Sequence, residues 1–127
     1  MIDINSILLE GILVKDAVLH TEKEPHICTF TIASGRFPND DQSLKKEFSF
    51  FDVETEGKLA DECGAMGRKG GKVGVSGYLK QRRYTGHDGR LYSRIVIIAK
   101  RAEFGSGSNK EFVLSTTDQL TDKIEGE

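Results

Sequence analysis

KVGVSGYLKQRRYTGHDGRLYSRIVIIAKR, Lys72–Arg101, is the stretch whose reading decides the fold. Two β-rich runs, Lys72 to Tyr84 and Leu91 to Lys100, flank His87-Asp88-Gly89, a turn signal. The stretch therefore reads as one long hairpin. Lys72, Lys80, Arg82, Arg83, Arg90, Arg94, Lys100 and Arg101 are cationic, and Asp88 is the only carboxylate among them. Tyr78, Tyr84 and Tyr92 lie between the cations. Cations neutralise phosphates and flat rings stack on bases, so a ribbon carrying both suits single-stranded nucleic acid.

Whole-chain composition points mildly the other way. The 127 residues carry a formal net charge of −2 and a pI near 5.9. The distribution reverses this. Met66 to Arg101 holds ten Lys and Arg against Asp88 alone, whereas Met1 to Ala65 holds six against thirteen acids. Local field governs binding more than net charge does. The competing reading of the same charges is a solvated ribbon with no ligand.

Working outward, Ile4 to Val14 is β-rich and interrupted by Gly11, a sign of a bulge or sharp bend. Ile27 to Ala33 alternates, with Cys28, Phe30 and Ile32 on one side and Thr29 and Thr31 on the other, as a half-buried strand does. Ser34 to Lys45 is a polar loop with one aromatic, Phe37. Phe48 to Thr55 is a third strand. Parity sends Phe51, Val53 and Thr55 inward and Phe48, Phe50, Asp52 and Glu54 outward. Lys58 to Met66 reads as a short helix with Leu59, Cys63 and Met66 on one face. Ile95 to Ile98 is apolar without alternation, which predicts cover on both faces of that strand, one by the core and one by another element or subunit.

Three strands, a short helix and two strands, with no internal repeat, match an all-β, five-stranded Greek-key barrel of the OB type with the helix between strands 3 and 4. Another small barrel or a sandwich fits the order less well. Ser106 opens a Gly-Ser linker, and Glu111 to Glu127 carries five acids against Lys110 and Lys123. Residues 1–105 are thus expected to form the barrel and 106–127 an acidic, flexible tail. Cys28 and Cys63 have no partner at ligand spacing and read as reduced core residues of a cytoplasmic protein. No leader or membrane-spanning run is indicated. No nucleophile–base pair, phosphate loop or metal set is visible, so neither catalysis nor a cofactor is expected.

The order and spacing of several blocks resemble bacterial single-stranded DNA-binding proteins. The blocks are Ile4 to Gly11, Phe30 to Ser34, Gly57 to Ala60, Arg68 to Gly70 and Val73 to Leu79, followed by the basic aromatic hairpin. The resemblance covers roughly Ile4 to Phe104. It implies an OB barrel, usually a homotetramer, that coats single strands without catalysis in replication, recombination and repair. Carried over, the stacking positions fall on Phe37, Phe50 and Tyr84, each lacking the tryptophan often found there. Tyr92, Arg68, Lys69, Lys72, Lys80, Arg82, Arg83, Arg90 and Arg94 complete the expected DNA-binding set. Tyr78 and Tyr92 also fit a structural couple across the strand pair, and Arg68 and Lys69 fit partners of the helix C-terminus. Asp52, Glu54 and Glu56 would either repel phosphate or pair with neighbouring cations. The acidic tail lacks the family's terminal aromatic, which puts partner recruitment in doubt. The rival readings are an RNA- or primosome-associated OB protein and a structural OB module.

Overall fold

The computed structural model describes residues 3–36 and 46–105. Its elements are β1 (Ile7–Leu13), β2 (Val18–His20), β3 (Ile27–Arg36), β4 (Glu47–Glu56), α1 (Lys58–Met66), β5 (Lys72–Thr85) and β6 (Leu91–Phe104). The five long strands form a closed barrel, in the order β1-β5-β6-β4-β3, with the short β2 added to β3. β1 returns to pair with β3. The expected all-β OB architecture, with its helix after the third long strand, is what the chain adopts. The sequence reading missed β2, whose three residues are too few to show a period.

Alternation builds the core. Cys28, Phe30 and Ile32 of β3 point inward with Val53 of β4, Val73 and Val75 of β5, and Ile97 and Ala99 of β6. Leu13 of β1 joins them, and Ala60 and Cys63 of α1 pack against the same cluster. Thr55, the one buried polar residue among the described residues, donates its hydroxyl to the Cys28 carbonyl at 3.3 Å. Phe104 packs at the margin with its ring 6.4 Å from that of Phe30.

Three expectations about packing need correction. Of the expected helix face, Cys63 is buried and Leu59 packs against the core, but Met66, the last residue of the helix, is exposed, and Ala60 is buried beside Cys63. Phe51 is partly exposed: it still pairs with Ile32 of β3, but β4 meets β6 only at Val53 and Glu54, which leaves Phe51 at an open margin. Ile95 is also exposed: β6 is covered on both sides only from Val96 onward, where it enters the barrel.

Two close approaches require glycine. A Cβ on Gly11 would overlap the Ala33 carbonyl where β1 crosses to β3, so the interruption seen in the sequence is where the barrel closes. A Cβ on Gly77 would overlap the Ile98 carbonyl. There the β5–β6 register steps: Ser76 faces Arg101 and Gly77 faces Ala99, leaving Lys100 as an extra residue. Such a bulge bends the hairpin and increases its twist.

Candidate nucleic-acid interface

Each of β5 and β6 is fourteen residues long, and their pairing runs outward to Thr85↔Leu91. Side chains opposed in register share a face. Tyr78↔Ile98, Lys80↔Val96, Arg82↔Arg94 and Tyr84↔Tyr92 therefore make the outer face of the hairpin. It continues through Glu54↔Ile98 onto β4, adding Asp52 and Phe50, and through Thr31↔Asp52 onto β3. Leu79, Arg83, Leu91 and Ile95 lie on the opposite face.

The hairpin tip is held by backbone and by its one acid. Gly86 N–H donates to the Arg90 carbonyl at 2.9 Å, and Gly89, at φ 80°, donates to the Gly86 carbonyl at 3.0 Å. The Asp88 carboxylate accepts the Arg90 N–H at 3.0 Å and the Tyr92 hydroxyl. The Tyr92 hydroxyl and Arg90 N–H hold Asp88 below the usual carboxylate range, and the same carboxylate raises the Tyr92 phenol. So the lone acid of the hairpin tip sets the loop and fixes one ring.

That ring stacks on Tyr84, with centroids 5.5 Å apart and planes 20° from parallel. Tyr84 is 50% and Tyr92 40% exposed, so the pair keeps open ring surface near the tip. The cross-strand couple is thus Tyr84 with Tyr92, whereas Tyr78 packs beneath the Lys100 ammonium, 5.8 Å from its ring centroid. The register of a fourteen-residue hairpin decides this, and parity along one strand carries no register.

Two carboxylates of β4, Asp52 and Glu54, are paired. Arg82 grips Glu54 through Nη2 at 2.6 Å and Nε at 3.4 Å, and Glu54 raises the Arg82 guanidinium above its ordinary value. Arg94 lies 3.2 Å from Asp52 and 3.9 Å from Glu54. Asp52 also accepts the Thr31 hydroxyl at 2.9 Å. Glu56 is exposed at the strand end.

The remaining expected site residues are scattered. Phe50 is half-buried on the outer face, two residues from Asp52. Lys80 is exposed there, with no partner among the described residues. Arg90 is exposed at the tip, 4.0 Å from Asp88. Arg83 faces the other way and donates to Gln81 at 3.2 Å. Arg68 Nη1 caps the helix, donating to the Gly64 and Gly67 carbonyls at 3.1 Å each. The Lys69 backbone N–H donates to Asp16 at 2.8 Å. Lys72 begins β5, about 33 Å of strand from Arg82 at some 3.3 Å per residue. There it lines a groove of about 680 Å³ with Glu10, Phe48, Arg101 and Glu103. The structure therefore gathers Phe50, Lys80, Arg82, Tyr84, Tyr92 and Arg94 on one face, and leaves Arg68, Lys69 and Lys72 at the other end of β5. Phe37 lies outside the described residues.

One partner of the hairpin had no signal in the sequence. The Asn5 amide donates to the Leu79 carbonyl and accepts the Leu79 N–H, each at 2.8 Å, as a neighbouring strand would. Asn5 thereby fixes β5 where it leaves the barrel.

A closed barrel with a helix after its third long strand, carrying an aromatic, cationic ribbon on its outer face, defines a barrel of the OB class. The chain belongs to the single-strand binding protein family, which matches residues 4–105. It is 30% identical over 104 residues to a single-stranded DNA-binding protein of Treponema pallidum, covering 81% of this chain and 58% of that protein. It is 32% identical over 102 residues to one from Bacillus cereus, covering 79% and 59% respectively. The chain thus spans somewhat under two thirds of those two relatives. Among solved structures it superposes on a Plasmodium falciparum single-stranded DNA-binding protein complexed with single-stranded DNA. The TM-score is 0.69 at 20% identity, over 82% of this chain and 95% of that one.

Proposed function

We propose that this protein binds single-stranded DNA without sequence preference and without catalysis, laying the strand along the outer face of β4, β5 and β6. The observation that carries the reading is the exposed Tyr84–Tyr92 stack on a ribbon with Lys80 and Arg90 beside it. Open rings favour unstacked bases, which a duplex does not present. Family membership and the DNA-binding relatives support the same ligand. Replication, recombination and repair in the cytoplasm are the settings in which such a strand occurs. The test is fluorescence anisotropy with a labelled thymidine oligomer over a salt series, with duplex and RNA of equal length as controls. Preference for the single strand, weakening as salt rises, is expected. Equal or tighter duplex binding refutes the reading, and preference for RNA moves it to the RNA-binding alternative.

Assembly into a homotetramer belongs to the same reading. Ile7 and Leu9 pack against the protein's own core. Leu8, at 82% exposed, and Leu79, Leu91 and Ile95 are among the large apolar residues that the barrel leaves uncovered. The edge of β1 before its pairing with β3, Ile7 to Gly11, also invites another strand. A monomer by light scattering at micromolar concentration contradicts the tetramer. Residues 106–127, which lie outside the described residues, are read as a tail not needed for the barrel. A chain ending at Gly105 is therefore expected to keep its oligomeric state and its DNA affinity.

A further inference from the structure

Arg82 and Arg94 are occupied by the protein's own carboxylates. Arg82 holds Glu54 through two nitrogens. Arg94 is shared between Asp52 and Glu54. Asp52 is anchored by Thr31, and the Glu54 side chain is only 15% exposed. Two guanidinium groups and two carboxylates make a cluster of no net charge at the middle of the outer face. Arg82 and Arg94 are directly opposed in register, where like charges repel, so the carboxylates also relieve a conflict within the sheet.

The cluster changes what a nucleic acid meets. A phosphate recruiting Arg82 would have to break a two-point ion pair and strand a largely buried carboxylate, which is strongly unfavourable. The edges of the guanidinium groups are engaged, but a guanidinium also stacks through its flat faces. Along the same face stand Tyr84 and Tyr92 on one side of the cluster and Phe50 on the other. Among the described residues, Lys80 is the outer-face cation without a partner.

We infer that Asp52 and Glu54 are positioning residues that hold Arg82 and Arg94 as flat platforms for bases and withhold them from phosphates. This rests on the single-stranded DNA reading and adds how the face selects its ligand. A duplex offers phosphates but no open base faces, so a face neutralised here discriminates against it. Single strands are held by stacking along Phe50, Arg94, Arg82, Tyr92 and Tyr84, with Lys80 as a phosphate contact.

The test compares the salt dependence of affinity for a thymidine oligomer and a duplex of equal length in the full chain and in variants. For single strands the slope of log affinity against log salt changes by about 0.7 per phosphate contact. Lys80→Ala is expected to flatten the slope by about 0.7. The double variant Asp52→Asn with Glu54→Gln keeps the side-chain shapes and releases both arginines. It is expected to steepen the slope by about 0.7 to 1.4 and to raise duplex affinity relative to single-strand affinity. Asp52→Asn alone, at a half-exposed position, is expected to steepen it by about 0.7 and serves if the double variant fails to fold. A purely structural role lowers the melting temperature and leaves the slope alone. Unchanged slopes in the carboxylate variants, with Lys80→Ala shifting as expected, overturn the inference and leave the single-strand reading standing. Absence of binding by the unaltered chain overturns both.

Discussion

Tyr84→Ala separates the two roles of the hairpin rings. In the free protein Tyr84 contributes through its stack on Tyr92, at 5.5 Å and 20°. Such a pair is worth about 0.5–1.5 kcal/mol beyond area burial. Tyr84 is half exposed already and lies outside the core cluster, so the loss of fold stability belongs at the low end of that range. Loss of a base–aromatic stack costs about 1–3 kcal/mol, roughly five- to 160-fold in affinity. The substitution is therefore expected to weaken binding of a thymidine oligomer by an order of magnitude or more while moving the denaturation midpoint little. Tyr84→Phe keeps the ring and is expected to bind nearly as the unaltered protein does, since the Tyr84 hydroxyl has no partner among the described residues. The assay is anisotropy titration at one salt concentration, paired with urea denaturation. Unchanged affinity in an intact Tyr84→Ala protein refutes the stacking role, and so does a Phe variant as impaired as the Ala variant.

Other consequences are open to measurement. His26 lies between Asp61 at 2.8 Å and Glu24 at 3.3 Å, and chiefly through its hydrogen bond to Asp61 its imidazolium is favoured, raising its pKa. The folded value then exceeds the unfolded 6.5, so the stabilisation is complete below about pH 6.5 and fades as pH rises through the folded value. Urea midpoints followed from pH 5.5 to 8.5 are expected to fall in the parent more than in His26→Gln, and parallel profiles contradict this. Burial pushes the Cys28 thiol up to about 11 and raises Cys63 as well. A thiol reagent at pH 8 is therefore expected to modify neither until denaturant is added, and prompt modification of the native chain refutes it. Gly77→Ala places a methyl group against the Ile98 carbonyl and is expected to cost about 1–3 kcal/mol by denaturant titration. An Ala variant of parental stability would show that the strands separate there without strain.

The barrel was legible in the sequence because its strands alternate cleanly where they cross the core. Cys28, Phe30 and Ile32 share one parity, and Val53 and Thr55 share another, and all are buried. The helix bounds, Lys58 to Met66, matched because Gly57 and Gly67 punctuate it. Parity misled where a strand runs past the core: Phe51 and Ile95 keep the inward phase but have nothing over them. The site was legible in composition more than in arrangement. Charge counting marked the hairpin, yet it could not show that Arg82 and Arg94 close on Glu54 and Asp52, because those contacts join residues 28 and 42 positions apart. Nor could it place Arg68, whose guanidinium is consumed by the helix end it follows. The Tyr84–Tyr92 couple needed the register, which the turn at Gly86 to Arg90 sets.

The order in which the strands are made bears on how the chain reaches its native state. β6 is the last described strand to leave the ribosome, yet it alone joins β5 to β4. Its seam with β4 consists of Val53↔Ile97 and Glu54↔Ile98, pairing residues synthesised 44 positions apart. Until that strand emerges, β2, β3 and β4 can form only an open meander, with Phe30, Ile32 and Val53 facing water on one side. The nascent chain thus carries an unfinished sheet through most of its synthesis, and non-local pairings of this kind close slowly. Stalling translation between Glu56 and Leu91 would present a chaperone with an apolar surface that the finished protein hides.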